Sequence, residues 1–147
     1  MTEHLRAHFR DILGLPESAI AWLLDLWRVI QAFDDFADGD AVERSDLDTV
    51  IWAALVGMPC NAFFAANSQA LLPVMATQVL KWQASDQAER AGNADAKSYM
   101  WRAGYYDVVL IVTQLCRGHD FARDAASTAM SLYGETYEDY MKEFTDA

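Results

Sequence analysis

The sequence predicts an all-α protein, and three observations carry that prediction. Apolar residues recur three and four positions apart over most of the chain, which is the period of one helix face. No segment alternates apolar and polar residues, and no Asn-Gly or Asp-Gly pair joins two strand-like runs, so hairpin signals are missing. Capping residues and Gly or Pro stops punctuate the apolar runs where helices should begin and end. The expected architecture is one compact bundle of five or six helices, a single domain over residues 1–147.

Leu5, Phe9, Ile12 and Leu13 have helical spacing and Gly14 follows, so a short first helix is expected over 3–13. Pro16 then opens a second helix at a favoured early position, and Glu17 complements its N-terminal dipole. Ile20, Leu23, Leu24, Trp27 and Ile30 form its stripe, widened by Trp22, Leu26 and Phe33. That helix should be central and should end near Asp38-Gly39. Ser45 followed by Asp48 resembles a capping box for a third helix, with Leu47, Val50, Ile51, Ala54 and Leu55 as its apolar face. Gly57 and Pro59 should stop it.

Residues 61–67 are expected to form a turn or two, with a fourth helix starting at Ser68 or Pro73 and passing through Leu80 and Trp82. Its tail, Ser85-Asp86-Gln87-Ala88-Glu89-Arg90, is polar all round and should protrude or fray. Asp95 can cap a fifth helix running to Arg117 and closed by Gly118. A last helix should start at Asp120 and reach Phe144, kinked at Gly134, with Tyr133, Tyr137, Tyr140 and Phe144 as its aromatic stripe.

The totals narrow the function. The 147 residues suffice to bury a core without staples. With 53% hydrophobic residues and a mean hydropathy of -0.02, disorder is not expected. The net charge of -11 argues against nucleic acid as the main partner, since phosphate binding needs clustered Lys and Arg. It also argues against an anionic membrane surface, and no apolar run approaches the roughly 20 residues of a membrane span. No apolar signal segment follows Met1, and Cys60 and Cys116 sit in apolar settings, so a reduced, cytoplasmic protein with two buried thiols is expected.

The end of the second helix is the main functional lead. Asp34, Asp35, Asp38 and Asp40 place four carboxylates in seven positions. Carboxylates this close repel one another unless a cation or water screens them. Asp34 and Asp38 share a helix face, with Cβ atoms roughly 5–6 Å apart, and the negative end of the helix dipole favours a cation there. Such a set can chelate a hard divalent ion. With Gly39 as sixth residue of a calcium loop, position 3 would be Phe36 and position 12 Ser45, which discounts calcium. The alternative is a polar turn whose acids are solvated or paired with Arg and Lys.

The pattern Asp34-Asp35-x-x-Asp38 resembles the first aspartate-rich motif of class I terpenoid (isoprenoid) synthases. In those all-α enzymes the motif holds Mg²⁺ that clamps a substrate diphosphate. The resemblance implies metal roles for Asp34, Asp35 and Asp38. That family also has a second metal motif on a facing helix, where this chain offers only Asp107 with Gln114 two turns later. All-α nucleotide pyrophosphatases use paired acids on two helices, and Glu135-x-x-Glu138 would be the other pair here.

Asp107 lies in an apolar run, where an unpaired carboxylate is costly. It should meet Arg, Tyr, another acid or a metal shared with the Asp34 set, with Arg102, Arg117, Arg28 and Lys97 as the candidate cations. Arg102 and Arg117 are the candidates to meet phosphate. His4 and His8 share a helix face without a Glu between them, which reads as a surface coincidence, and His119 reads as a capping residue. No nucleophile elbow or Gly-rich phosphate loop is present. Of five tryptophans most should be core, and any on the surface would mark a partner or self-association face. Residues 61–73 resemble uncharacterised helical proteins of phages and prophages. Two expectations stand: a Mg²⁺-dependent protein acting on or binding a diphosphate-containing small molecule, and a non-enzymatic accessory protein that self-associates through aromatic helix faces.

Overall fold

The computed structural model describes residues 2–145, and among them every regular element is helical. Eight helices replace the expected five or six, and the chain packs as two compact units, one up to Ser68 and one from Gln69. A single domain over 1–147 is the sequence reading; the boundary between the units falls inside the longest helix.

In the first unit, α1 (Thr2–Ala7) runs on through a π-helical turn, His8–Ile12. Leu5, Phe9 and Leu13 are buried. Helix α2 (Glu17–Ala37) starts after Pro16, whose extended backbone occupies the cap position. Ile20, Trp22, Leu23, Leu24, Leu26 and Val29 are its buried residues, whereas Phe33 is 60% exposed and does not widen the core stripe. Trp22 stacks on Phe64 with ring centroids 5.7 Å apart.

Helix α3 (Arg44–Trp52) starts one residue before Ser45, and Glu43 at its cap position makes no side-chain capping bond. Gly57 and Pro59 do not stop it. The chain continues through a π-helical turn, Ala53–Gly57, into a last α-helical turn, Met58–Cys60, where proline fits because its missing N–H is unneeded at a helix start. Asn61 then caps α4 (Ala62–Arg90): its Oδ1 accepts from the Phe64 N–H at 3.0 Å, and its Nδ2 donates to the Ser18 carbonyl at 2.9 Å. Helix α4 therefore starts at neither Ser68 nor Pro73. Pro73 lies within it, and the Thr77 hydroxyl donates to the Pro73 carbonyl at 3.0 Å.

The second unit holds the rest of α4 with α5 (Ala96–Trp101), α6 (Tyr105–Arg117), α7 (His119–Met130) and α8 (Tyr137–Thr145). Asp95 caps α5 in a reciprocal box with Ser98. The expected helix from Asp95 to Arg117 is broken at 102–104. A Cβ on Gly104 would stand 2.7 Å from Gln78 Cγ and 3.1 Å from Gln78 Cα, so only glycine lets the chain come this close to α4. The last helix is likewise two, parted at 131–136 rather than kinked.

The tail of α4 does not protrude. Ser85 is fully buried, and its hydroxyl donates to the Ser98 carbonyl at 2.8 Å. Tyr140, also fully buried, donates from its hydroxyl to Glu89 at 2.9 Å and lies 2.7 Å from Ser98 Oγ. Arg102 reaches Glu89 at 3.6 Å and Glu135 at 3.8 Å, and its guanidinium sits 5.2 Å from the Tyr140 ring centre. Polar side chains at i and i+4 thus face inward because tyrosines and an arginine meet them, which keeps buried polar atoms satisfied.

The thiols differ from expectation: Cys60 is exposed and Cys116 half-buried, both free. His8 is buried rather than a surface residue, and its Nε2 has no hydrogen-bond partner. Burial, then the nearby His4, hold its pKa below the ordinary histidine value.

Candidate functional site

The aspartate-rich end of α2 is closed by backbone geometry. Gly39 takes a positive φ of 77°, its N–H donates to the Phe36 carbonyl at 3.2 Å, and the Asp40 N–H donates to the Asp35 carbonyl at 2.9 Å. This pair of bonds is the Schellman stop, which favours glycine because a Cβ opposes that backbone region. The stop places Asp38 at the exposed helix cap and leaves Asp34 and Asp35 half-buried on the last turn.

Asp35 faces a groove of about 210 Å³ between α2 and α3, whose walls include Trp27, Arg28, Gln31, Asp46 and Thr49. Neither Asp34 nor Asp38 lines it. Burial first, then Asp40 and Asp34, push the Asp35 carboxyl above the usual aspartate value, the response of an acid crowded by like charges at a negative helix end. Arg28 donates to Asp25 at 3.1 Å. Gly57 makes room for that pair, since a Cβ there would lie 3.1 Å from Asp25 Oδ2.

The other candidates have protein partners. Asp107 accepts from Lys81 at 2.6 Å, a lysine one helix away in the same unit and not among the cations expected for it. Arg102 is held in the Glu89–Tyr140 network. The Arg117 guanidinium lies 3.9 Å above the Phe121 ring, a cation–π contact across the α6–α7 turn. Among the described residues, no three His, Cys, Asp or Glu side chains converge as a metal-binding group.

The third helix shows what the sequence reading missed. Of its expected apolar face, Val50 is buried and Ala54 half-buried, but Leu47, Ile51 and Leu55 are 41%, 48% and 73% exposed. Trp52 is 65% exposed. Spacing of i, i+4 and i+8 makes Leu47, Ile51 and Leu55 one outward row. The opposite side, with Val50, Ala53 and Met58, is the buried one. The helix is apolar on two faces and the first unit covers one. An apolar run wider than a single core stripe was the signal available in sequence.

No helix among the described residues is by itself long and apolar enough to cross a membrane. Comparison with family models, with curated proteins and with solved structures found no match to this chain.

Proposed function

We propose that this chain is a non-catalytic binding protein that works through the uncovered apolar face of α3. The observation that supports this is the exposed row of Leu47, Ile51 and Leu55 with Trp52 beside it. These four side chains are 41–73% exposed, so each forgoes about half or more of the roughly 1.5–3 kcal/mol that full burial of a large apolar side chain contributes. Contiguous exposed apolar surface of this kind marks interaction sites. The test is site-directed photo-crosslinking in the cells that make the protein, with a photoreactive phenylalanine analogue at position 55 or, as control, at position 142 on α8. Discrete protein adducts at position 55 and none at 142 are expected. Absence of adducts at position 55 would contradict the proposal.

A second reading, a Mg²⁺ site for a diphosphate-type ligand, is favoured by one observation: Asp35 and Asp46 line the same groove as Arg28. Two carboxylates could hold a hydrated Mg²⁺, which keeps several waters or phosphate oxygens of its own. In that reading millimolar Mg²⁺ with inorganic pyrophosphate raises the melting temperature, because ligand binds the native state. Asp35→Asn abolishes the rise. No shift with both present would remove this reading.

A further inference from the structure

We infer that α3 receives a cationic amphipathic helix of another protein, with its apolar residues on Leu47, Ile51, Trp52 and Leu55 and its Lys/Arg-rich end against the carboxylates of residues 34–48. This rests on the binding role proposed for α3 and names the chemistry of its partner.

The shape of the row fits a helix. Leu47 and Ile51 on α3 and Leu55 on the π-helical turn that continues it span eight residues, roughly two turns. A straight apolar strip of that length is what the anchors of a partner helix at i, i+4 and i+7 cover. Arg44 and Asp48 stand on the same outward face at helical spacing, paired at 3.6 Å, so the row passes directly into charged surface.

Charge chooses the occupant. Residues 34–48 carry seven carboxylates (Asp34, Asp35, Asp38, Asp40, Glu43, Asp46 and Asp48) against one cation, Arg44. From Thr49 to Leu80 no side chain carries a formal charge. The surface is therefore polarised along the chain, strongly anionic at the start of α3 and uncharged beyond. These carboxylates repel one another, and the C-terminal dipole of α2 adds to the negative potential. A partner bearing cations relieves both. A second copy brings 11 Lys and Arg but 22 Asp and Glu, so self-pairing adds a further net charge of -11. An anionic lipid surface is repelled. A cationic end also raises the association rate through long-range attraction, an effect that salt weakens.

The test is calorimetric titration of the full chain with a synthetic Leu/Lys helix of about five turns, apolar at i, i+3 and i+4, with its lysines at one end. The control peptide has Glu for Lys. The variants are Ile51→Ser with Leu55→Ser, which keeps the net charge, and Asp46→Asn with Asp48→Asn. Thermal melts verify that both variants fold. The Lys peptide should bind the native chain, and the paired serine variant should weaken it at least about tenfold, from the lost apolar contact. The paired asparagine variant should weaken binding and flatten its salt dependence.

Equal binding to the serine variant, or equal binding of the Glu peptide, would overturn the inference. So would binding to phosphatidylcholine vesicles in place of peptide. If no peptide binds while crosslinks at position 55 persist, the partner chemistry is wrong and the binding role stands. If those crosslinks join two copies of this chain, the occupant is a second copy. If both peptide binding and crosslinks are absent, both proposals fall.

Discussion

Glu89 and Asp35 both sit near the end of a long helix, and they meet opposite fates. Glu89 accepts from Tyr140, lies near Arg102, and belongs to a network that ties α4, α5 and α8 together. Burial first, then Asp40 and Asp34, disfavour the charge of Asp35. One region spends its polar groups on holding the fold. The other tolerates repulsion, and beside it α3 leaves Leu47, Ile51, Trp52 and Leu55 in water. A site that departs from local stability rules is where function is to be sought.

The comparison breaks most visibly at Tyr140. Tyr140→Ala should cost about 3–5 kcal/mol, as for other large buried aromatics. Tyr140→Phe keeps the packing but removes the hydroxyl's hydrogen bonds to Glu89 and Ser98, one of them to a charged group, and should cost about 1–3 kcal/mol. Urea unfolding gives both, and a Tyr140→Phe chain as stable as the native one would show that the hydrogen bonds contribute nothing. Gly104→Ala comes next, at about 1–3 kcal/mol of overpacking, because the new methyl meets Gln78 backbone as well as side chain.

Alkali should also act on the second unit. Burial pushes the Tyr106 phenol up to about 12 from an ordinary value of 10.0. A raised folded-state pKa means stability that is whole below pH 10 and declines as pH rises towards about 12. Tyrosinate absorbance at increasing pH should therefore show a late-titrating group that appears together with unfolding. Titration of all tyrosines near their ordinary value in a folded chain would contradict the burial of Tyr106.

Smaller effects of opposite sign belong to the first unit. The raised Asp35 carboxyl means the fold is stabilised when it is protonated and loses that stability as pH rises through its folded value. Asp35→Asn should therefore raise the melting temperature at neutral pH, and the gain should vanish below the ordinary aspartate value of 3.8. Ile51→Ser with Leu55→Ser should change stability by no more than about 0.5 kcal/mol per site, since both side chains are exposed. A larger loss would mean that this face is packed within the chain.

Much of the helical layout was legible, because it depends on local signals. Pro16 and Gly39 bound α2 as expected, and the Asp95 cap forms. The misses are tertiary. Gly57 and Pro59 look like a stop, yet the backbone absorbs them in a π-helical turn and a new first turn. Pro73 looks like a start and lies inside α4. The break at Gly104 reflects the approach of Gln78, which local sequence does not reveal. Ser85 and Glu89 read as solvated because their partners are distant in sequence: Ser98 is 13 residues from Ser85, and Tyr140 is 51 from Glu89.

The candidate site divides the same way. The acidic turn was readable from four aspartates, whereas Lys81 as the partner of Asp107 was not, since it lies 26 residues away. The outward face of α3 was the hardest to read. Periodicity shows that a helix has an apolar face, but not which of two such faces its own chain covers.

Hydrogen exchange of the full chain with and without the Leu/Lys helix tests the α3 surface most directly. Slower exchange confined to residues 44–60 and the adjoining acidic turn is the predicted result. Unchanged exchange there, or protection appearing instead over α6 and α7, would contradict it.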